Sequence, residues 1–98
     1  MESTLTVVAE ILAKPGKEEQ VKVALMKLVE PTRNESGCVQ YDLHQCLNET
    51  GRFLFFANWK SESDLTEHLQ TPHIQEAVSA LEPIMSEPLK ISKYRRLA

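Results

Sequence analysis

The segment from Arg52 to Trp59 constrains this chain more than any other. Phe53, Phe55, Ala57 and Trp59 alternate with Leu54, Phe56 and Asn58. Period-2 alternation puts the first set on one face of a strand and the second on the other. Both faces are largely apolar. Leu5 to Leu12 repeats the pattern, with Leu5, Val7, Ala9 and Ile11 on one side and Thr6, Val8, Glu10 and Leu12 on the other. A sheet built from such strands needs cover on both sides. The cover has to come from a chain of 98 residues, the size of one small domain. Residues 1–98 are therefore read as a single domain.

The rest of the chain supplies cover for one side. Pro15-Gly16 closes the first strand with a turn. Val21, Ala24, Leu25 and Leu28 fall at i, i+3, i+4 and i+7, one face of a helix, with Glu18, Lys22 and Lys27 opposite. Pro31 kinks that helix near its end, and Gly37 stops it. Cys38 to Cys46 alternates again, with Val39, Tyr41 and Leu43 on one face and Gln40, Asp42 and His44 on the other. Asn48-Glu49-Thr50-Gly51 joins it to Arg52–Trp59 as a hairpin. Ser61 caps a short helix that has Asp64 in its first turn and Leu65, His68 and Leu69 on one face. Thr71 and Pro72 restart the helix as cap and first residue, and Ile74, Ala77, Val78 and Leu81 form its apolar face. Pro83 and Pro88 end the helical region, and Leu89 to Tyr94 reads as the last strand. The order is β-α-β-β-α-α-β, a ferredoxin-like α+β plan with an antiparallel sheet and helices on one face. The second face keeps Val8, Leu12, Leu54 and Phe56, together with His44 and Asn58. An apolar patch of that size calls for a partner. A second copy meeting it sheet to sheet, in an isologous homodimer, is the economical solution.

Composition removes several classes of function. A hydrophobic fraction of 42% and a net charge of −3 are wrong for a disordered chain. No apolar run approaches the ~18 residues of a membrane span. Met1-Glu2-Ser3-Thr4 has neither the basic nor the apolar region of a secretory signal, so a cytoplasmic location is expected. Eleven basic against 14 acidic residues argue against a nucleic-acid partner. Lys90, Lys93, Arg95 and Arg96 read as a solvated strand end. Cys38 and Cys46, about 26 Å apart if they share a strand at ~3.3 Å per residue, are too distant for a disulfide. They are expected to be free thiols in a reducing compartment.

Standard catalytic motifs are absent: no glycine-rich phosphate loop, no GxSxG elbow, no CxxC. His44, His68 and His73 match no common metal spacing. His68 and His73, five apart, splay on a helix, and Pro72 intervenes, so no metal ion is expected. What remains is aromatic and imidazole. Trp59 either fills the core or walls a pocket between sheet and helix. His68 lies on an inward helix face, where it is a satisfied core residue or, facing a cavity, a group that exchanges protons near neutral pH. Tyr41 packs in the core or lends its phenol to the same space. His73 sits in a first helical turn, at a pocket mouth. His44 falls on the opposite sheet face.

Three stretches together resemble the antibiotic biosynthesis monooxygenase (ABM) family: Pro31 to Gln45, Phe53 to Trp59, and Leu65-x-x-His68-Leu69 with Thr71-Pro72-His73. The likeness runs from the first strand to Tyr94. It implies a dimeric α+β barrel and, from several members, oxygenation of quinol or polyketide-like aromatics without metal, flavin or haem. Trp59 matches the tryptophan that lines the pocket of the polyketide-oxidising members. The asparagine those enzymes place four residues earlier is Phe55 here, and their tyrosine in the next helix is Leu65. The asparagine and histidine of the haem-degrading relatives fall at Ala9 and near Val78. His68 and His73 fit the small quinol-oxidising type better.

The resulting expectation is a cofactor-independent monooxygenase acting on a small phenolic or quinol-type aromatic with O₂. His68 and Trp59 would be the catalytic pair, and Tyr41, Phe55, Leu65 and His73 would bind the substrate. Two alternatives stand beside it: an isomerase of small carbonyl compounds using His68 or His73, and a non-catalytic ligand-binding or stress-associated dimer. The last predicts a pocket filled by Phe55, Trp59 and Leu65 with no ordered proton path. The discriminating observation is a cavity beside Trp59 and whether His68 faces it.

Overall fold

A computed structural model describes residues 4–98. Met1, Glu2 and Ser3, on which the absence of a secretory signal was read, lie outside the described residues. The elements are β1 (Leu5–Leu12), α1 (Glu18–Met26), α2 (Val29–Arg33), β2 (Cys38–Gln45), β3 (Arg52–Trp59), α3 (Glu62–Leu69), α4 (Pro72–Leu81), a 3₁₀ turn (Glu82–Ile84) and β4 (Lys90–Arg95). The strands pair antiparallel in the order β2-β3-β1-β4. This is the expected ferredoxin-like α+β fold. Among the described residues no helix is long and apolar enough to cross a membrane.

The strand alternation sets the layers. Val7 and Ile11 of β1, Tyr41 of β2, and Phe53, Phe55, Ala57 and Trp59 of β3 are all buried under the helices. Val21 and Leu25 of α1, Leu28 after it, Leu65 of α3, and Ala77 and Leu81 of α4 close the core from above. Pairing of Leu5 with Trp59 through Leu12 with Arg52 keeps the two double-faced strands adjacent at the sheet centre. On the other face, Val8, Leu12 and Leu54 stay half-buried and Phe56 is exposed.

Three local expectations need correction. The first helix breaks at Lys27–Leu28, four residues before Pro31 rather than at it. Pro31 has no N–H for the Lys27 carbonyl. The chain tightens there, with Leu28 N–H donating to the Leu25 carbonyl at 3.1 Å, and resumes as α2. Gly37 does not stop this helix, because α2 ends at Arg33. Val39 does not share the buried face with Tyr41. A bulge between Cys38 and Gln40 turns Val39 outward, 53% exposed, and Cys38 packs against the core instead.

Turn chemistry follows the sequence. Gly16 takes φ +85° after Pro15, a conformation that glycine adopts at no steric cost. Asn58 satisfies its amide on the open face. Thr6 Oγ1 donates to its Oδ1 at 2.6 Å, and its Nδ2 donates to Gln40 Oε1 at 2.7 Å. Both cysteines are free thiols.

Candidate active site

Trp59 ends β3 with its ring almost fully buried, and Ser61 begins the next helix two residues later. Ser61 Oγ accepts from Asp64 N–H, which starts α3 and brings its inward face over the tryptophan. Adding a Cβ at Gly37 would run into the Asp64 side chain, so that approach requires glycine. Leu65 and His68 follow on the same face, both buried. The His68 ring lies 4.5 Å from the Trp59 ring and 5.7 Å from the Tyr41 ring. Tyr41 in turn stacks on Phe55 at 4.5 Å.

These five residues line one cavity between sheet and helices, with Leu28 below and Ile74, Ala77 and Leu81 of α4 beside it. Its volume is about 60 Å³. Leu69, Leu89 and Ile91, each 37% exposed, form its outer wall. Tyr41 and His68 are the titratable side chains in an otherwise apolar wall. Burial raises the Tyr41 phenol far above its ordinary range, against a small opposing effect of the neighbouring Thr32 hydroxyl. The phenol therefore stays protonated and is a donor rather than a base. Burial lowers His68 below the usual histidine range, although its hydrogen bond to Glu35 pulls the other way. At neutral pH the imidazole is uncharged. Burial, with Glu35 nearby, also raises the Cys38 thiol, which keeps it protonated and a poor nucleophile.

Glu35 is the residue that the sequence reading missed. It stands in the loop between α2 and β2, its N–H bonded to the Thr32 carbonyl and its own carbonyl accepting from Cys38 N–H. Its Oε2 lies 2.8 Å from His68 Nδ1 and 2.8 Å from His73 Nε2. The two histidines do not splay, because they occupy different helices. Thr71 makes the break: its Oγ1 donates to the His68 carbonyl at 2.8 Å and accepts from Ile74 N–H. His68 thus lies in the last turn of α3, His73 in the first turn of α4, and both rings face one carboxylate. His73 does not line the apolar cavity. It borders a separate surface cleft with Ala24, Lys27 and Glu76, and reaches the cavity histidine through Glu35.

Glu35, His68 and His73 are also the described side chains whose potential ligand atoms converge, within 4.8 Å of one another. A carboxylate oxygen already stands where both ring nitrogens aim, at hydrogen-bond distance. As it stands the set is hydrogen-bonded. His68 Nδ1 is taken by Glu35. Among the described residues Nε2 has no hydrogen-bond partner, and it is the nitrogen left for the cavity.

The family model described as antibiotic biosynthesis monooxygenase matches residues 4–80. The chain belongs to the ABM family. YcnE of Bacillus subtilis is 34% identical over 83 residues, 85% of this chain and 87% of YcnE. The Synechocystis protein sll1783 is 32% identical over 91 residues, 93% of this chain; the chain spans 62% of that relative's length. The crystal structure of PA3566 from Pseudomonas aeruginosa superposes with a TM-score of 0.94 at 36% identity, covering 100% of this chain and 98% of that one. Within the ABM fold, the Phe55 and Leu65 of this chain are apolar wall residues of the cavity that His68 and Trp59 share.

Proposed function

We propose that this ABM-family protein is a monooxygenase of small phenolic or quinol-type aromatics that needs no bound cofactor. The observation that supports this best is a buried His68 lining an apolar cavity beside Trp59 and Tyr41. An apolar pocket with few polar groups suits a flat electron-rich ring. The cavity is small, so the ring enters by moving Leu69, Leu89 and Ile91, the exposed outer wall. A second copy covers the open sheet face, on the far side from the cavity.

The chemistry needs a base and a dry site. His68 Nε2 removes the phenol proton. The phenolate passes one electron to O₂, and the resulting radical and superoxide combine at a ring carbon bearing hydrogen. His68 returns the proton to the peroxide. Loss of the ring C–H proton and cleavage of the O–O bond then release water and leave a quinone carbonyl. One oxygen atom ends in the product and the other in water. The apolar wall excludes solvent that would quench the radical pair, and Trp59 fixes the ring face.

Oxygen uptake with a panel of hydroxylated naphthalenes and hydroquinones, in chelator, tests the reading. Uptake above the protein-free rate should drop by about 100-fold or more in His68→Gln and less in Trp59→Phe. A wild type no faster than autoxidation on every compound would refute it and favour a binding dimer or an isomerase.

A further inference from the structure

The mechanism above leaves one group unused. Glu35 Oε2, on a loop, lies 2.8 Å from a ring nitrogen of each of two histidines carried by two different helices. We propose that Glu35 is the positioning residue of His68, and that His73 holds Glu35 in place from the surface side. The inference rests on His68 as the cavity base and extends it to two residues outside the cavity.

A carboxylate accepts hydrogen bonds and donates none. The ring nitrogens facing it must therefore carry the protons: Nδ1–H in His68 and Nε2–H in His73. A neutral imidazole has one N–H, so Nε2 of His68 keeps its lone pair, directed to the cavity. Without Glu35 the tautomer would be free to reverse, and an Nε2–H cannot take a proton. When Nε2 accepts the substrate proton, the imidazolium still donates through Nδ1 to the carboxylate, a charge-assisted bond that steadies the charged ring in its buried place. The proton goes back from Nε2 to the peroxide, so Glu35 and His73 neither gain nor lose one over a cycle. His68 has a side chain 5% exposed, Glu35 17% and His73 24%. The set thus grades from cavity to surface, and its outermost member binds the carboxylate, not substrate.

The test is the tautomer of His68, read from the ring nitrogen shifts of the 15N-histidine-labelled full chain at mildly alkaline pH. Wild type should show Nδ1–H for His68. Glu35→Ala should move it toward Nε2–H, and kcat should fall by about 100-fold or more with KM within about threefold. His73→Leu, which takes away the carboxylate's outer donor, should move the tautomer toward Nε2–H and lower kcat, and His73→Gln, which restores an N–H donor, should bring both back toward wild type; an unchanged tautomer and kcat in His73→Leu would overturn the role of His73. An Nε2–H tautomer in wild type overturns the inference even if no variant folds. So does Glu35→Ala with an unchanged tautomer. A tautomer that moves as expected in a protein with no oxygen uptake would leave Glu35 as the positioning residue and refute the monooxygenase instead.

Discussion

His68 carries two opposed influences, and burial wins. Its folded protonation point lies below the unfolded one, so the unfolded chain takes the proton first as pH falls. Stability should decline as pH drops below about 6.5 and level off once the folded ring is protonated too. Urea midpoints of wild type and His68→Gln across pH 7.5 to 5 measure this, and parallel curves for the two would contradict it. Trp59, Tyr41, Phe55, Leu65 and His68 were all legible in the sequence, because strand and helix periods assign each to a face. Glu35 was not. It sits in a loop, where no period operates, and its partners lie 33 and 38 positions away. The same blindness misplaced His73 at the cavity mouth, since its role depends on that carboxylate.

At the scale of elements, caps and breaks decide where side chains meet. Ser61, Thr71 and Pro72 were readable as helix starts, and each behaves so. The consequence of the Thr71 break was harder to see: treating the region as one helix separates two histidines that two helices bring together. Thr71→Ala should cost about 1 kcal/mol of stability and loosen the His68–Glu35–His73 set, visible as a lower melting temperature and broadened histidine ring signals. Gly37→Ala should cost about 1–3 kcal/mol, the range of overpacking, because Asp64 has to leave the Ser61 hydroxyl. A melting temperature equal to wild type would contradict that packing. The bulge at Val39 escaped the sequence reading for a related reason. Period-2 logic carries no signal for one extra residue, and the apolar Val39 gave no hint that it faces water.

The whole molecule has two unlike sheet faces. One is closed by helices and contains the cavity. The other carries Val8, Leu12, Leu54 and Phe56 beside a polar row in which Thr6, Asn58, Gln40, Asp42 and Arg33 are hydrogen-bonded in succession. Strand alternation announced both faces, and the fold class followed from them. If the open face joins two copies, wild type should sediment as a dimer and Phe56→Asp as a folded monomer; a monomeric wild type would contradict it. The claim on which the account turns, oxygen transfer in the closed face, is tested most directly by turnover of a hydroxynaphthalene under 18O₂ in chelator. One 18O atom should appear in the product quinone, formed faster than in a protein-free control and lost in His68→Gln. Unlabelled product, or labelling no faster than the control, would contradict it.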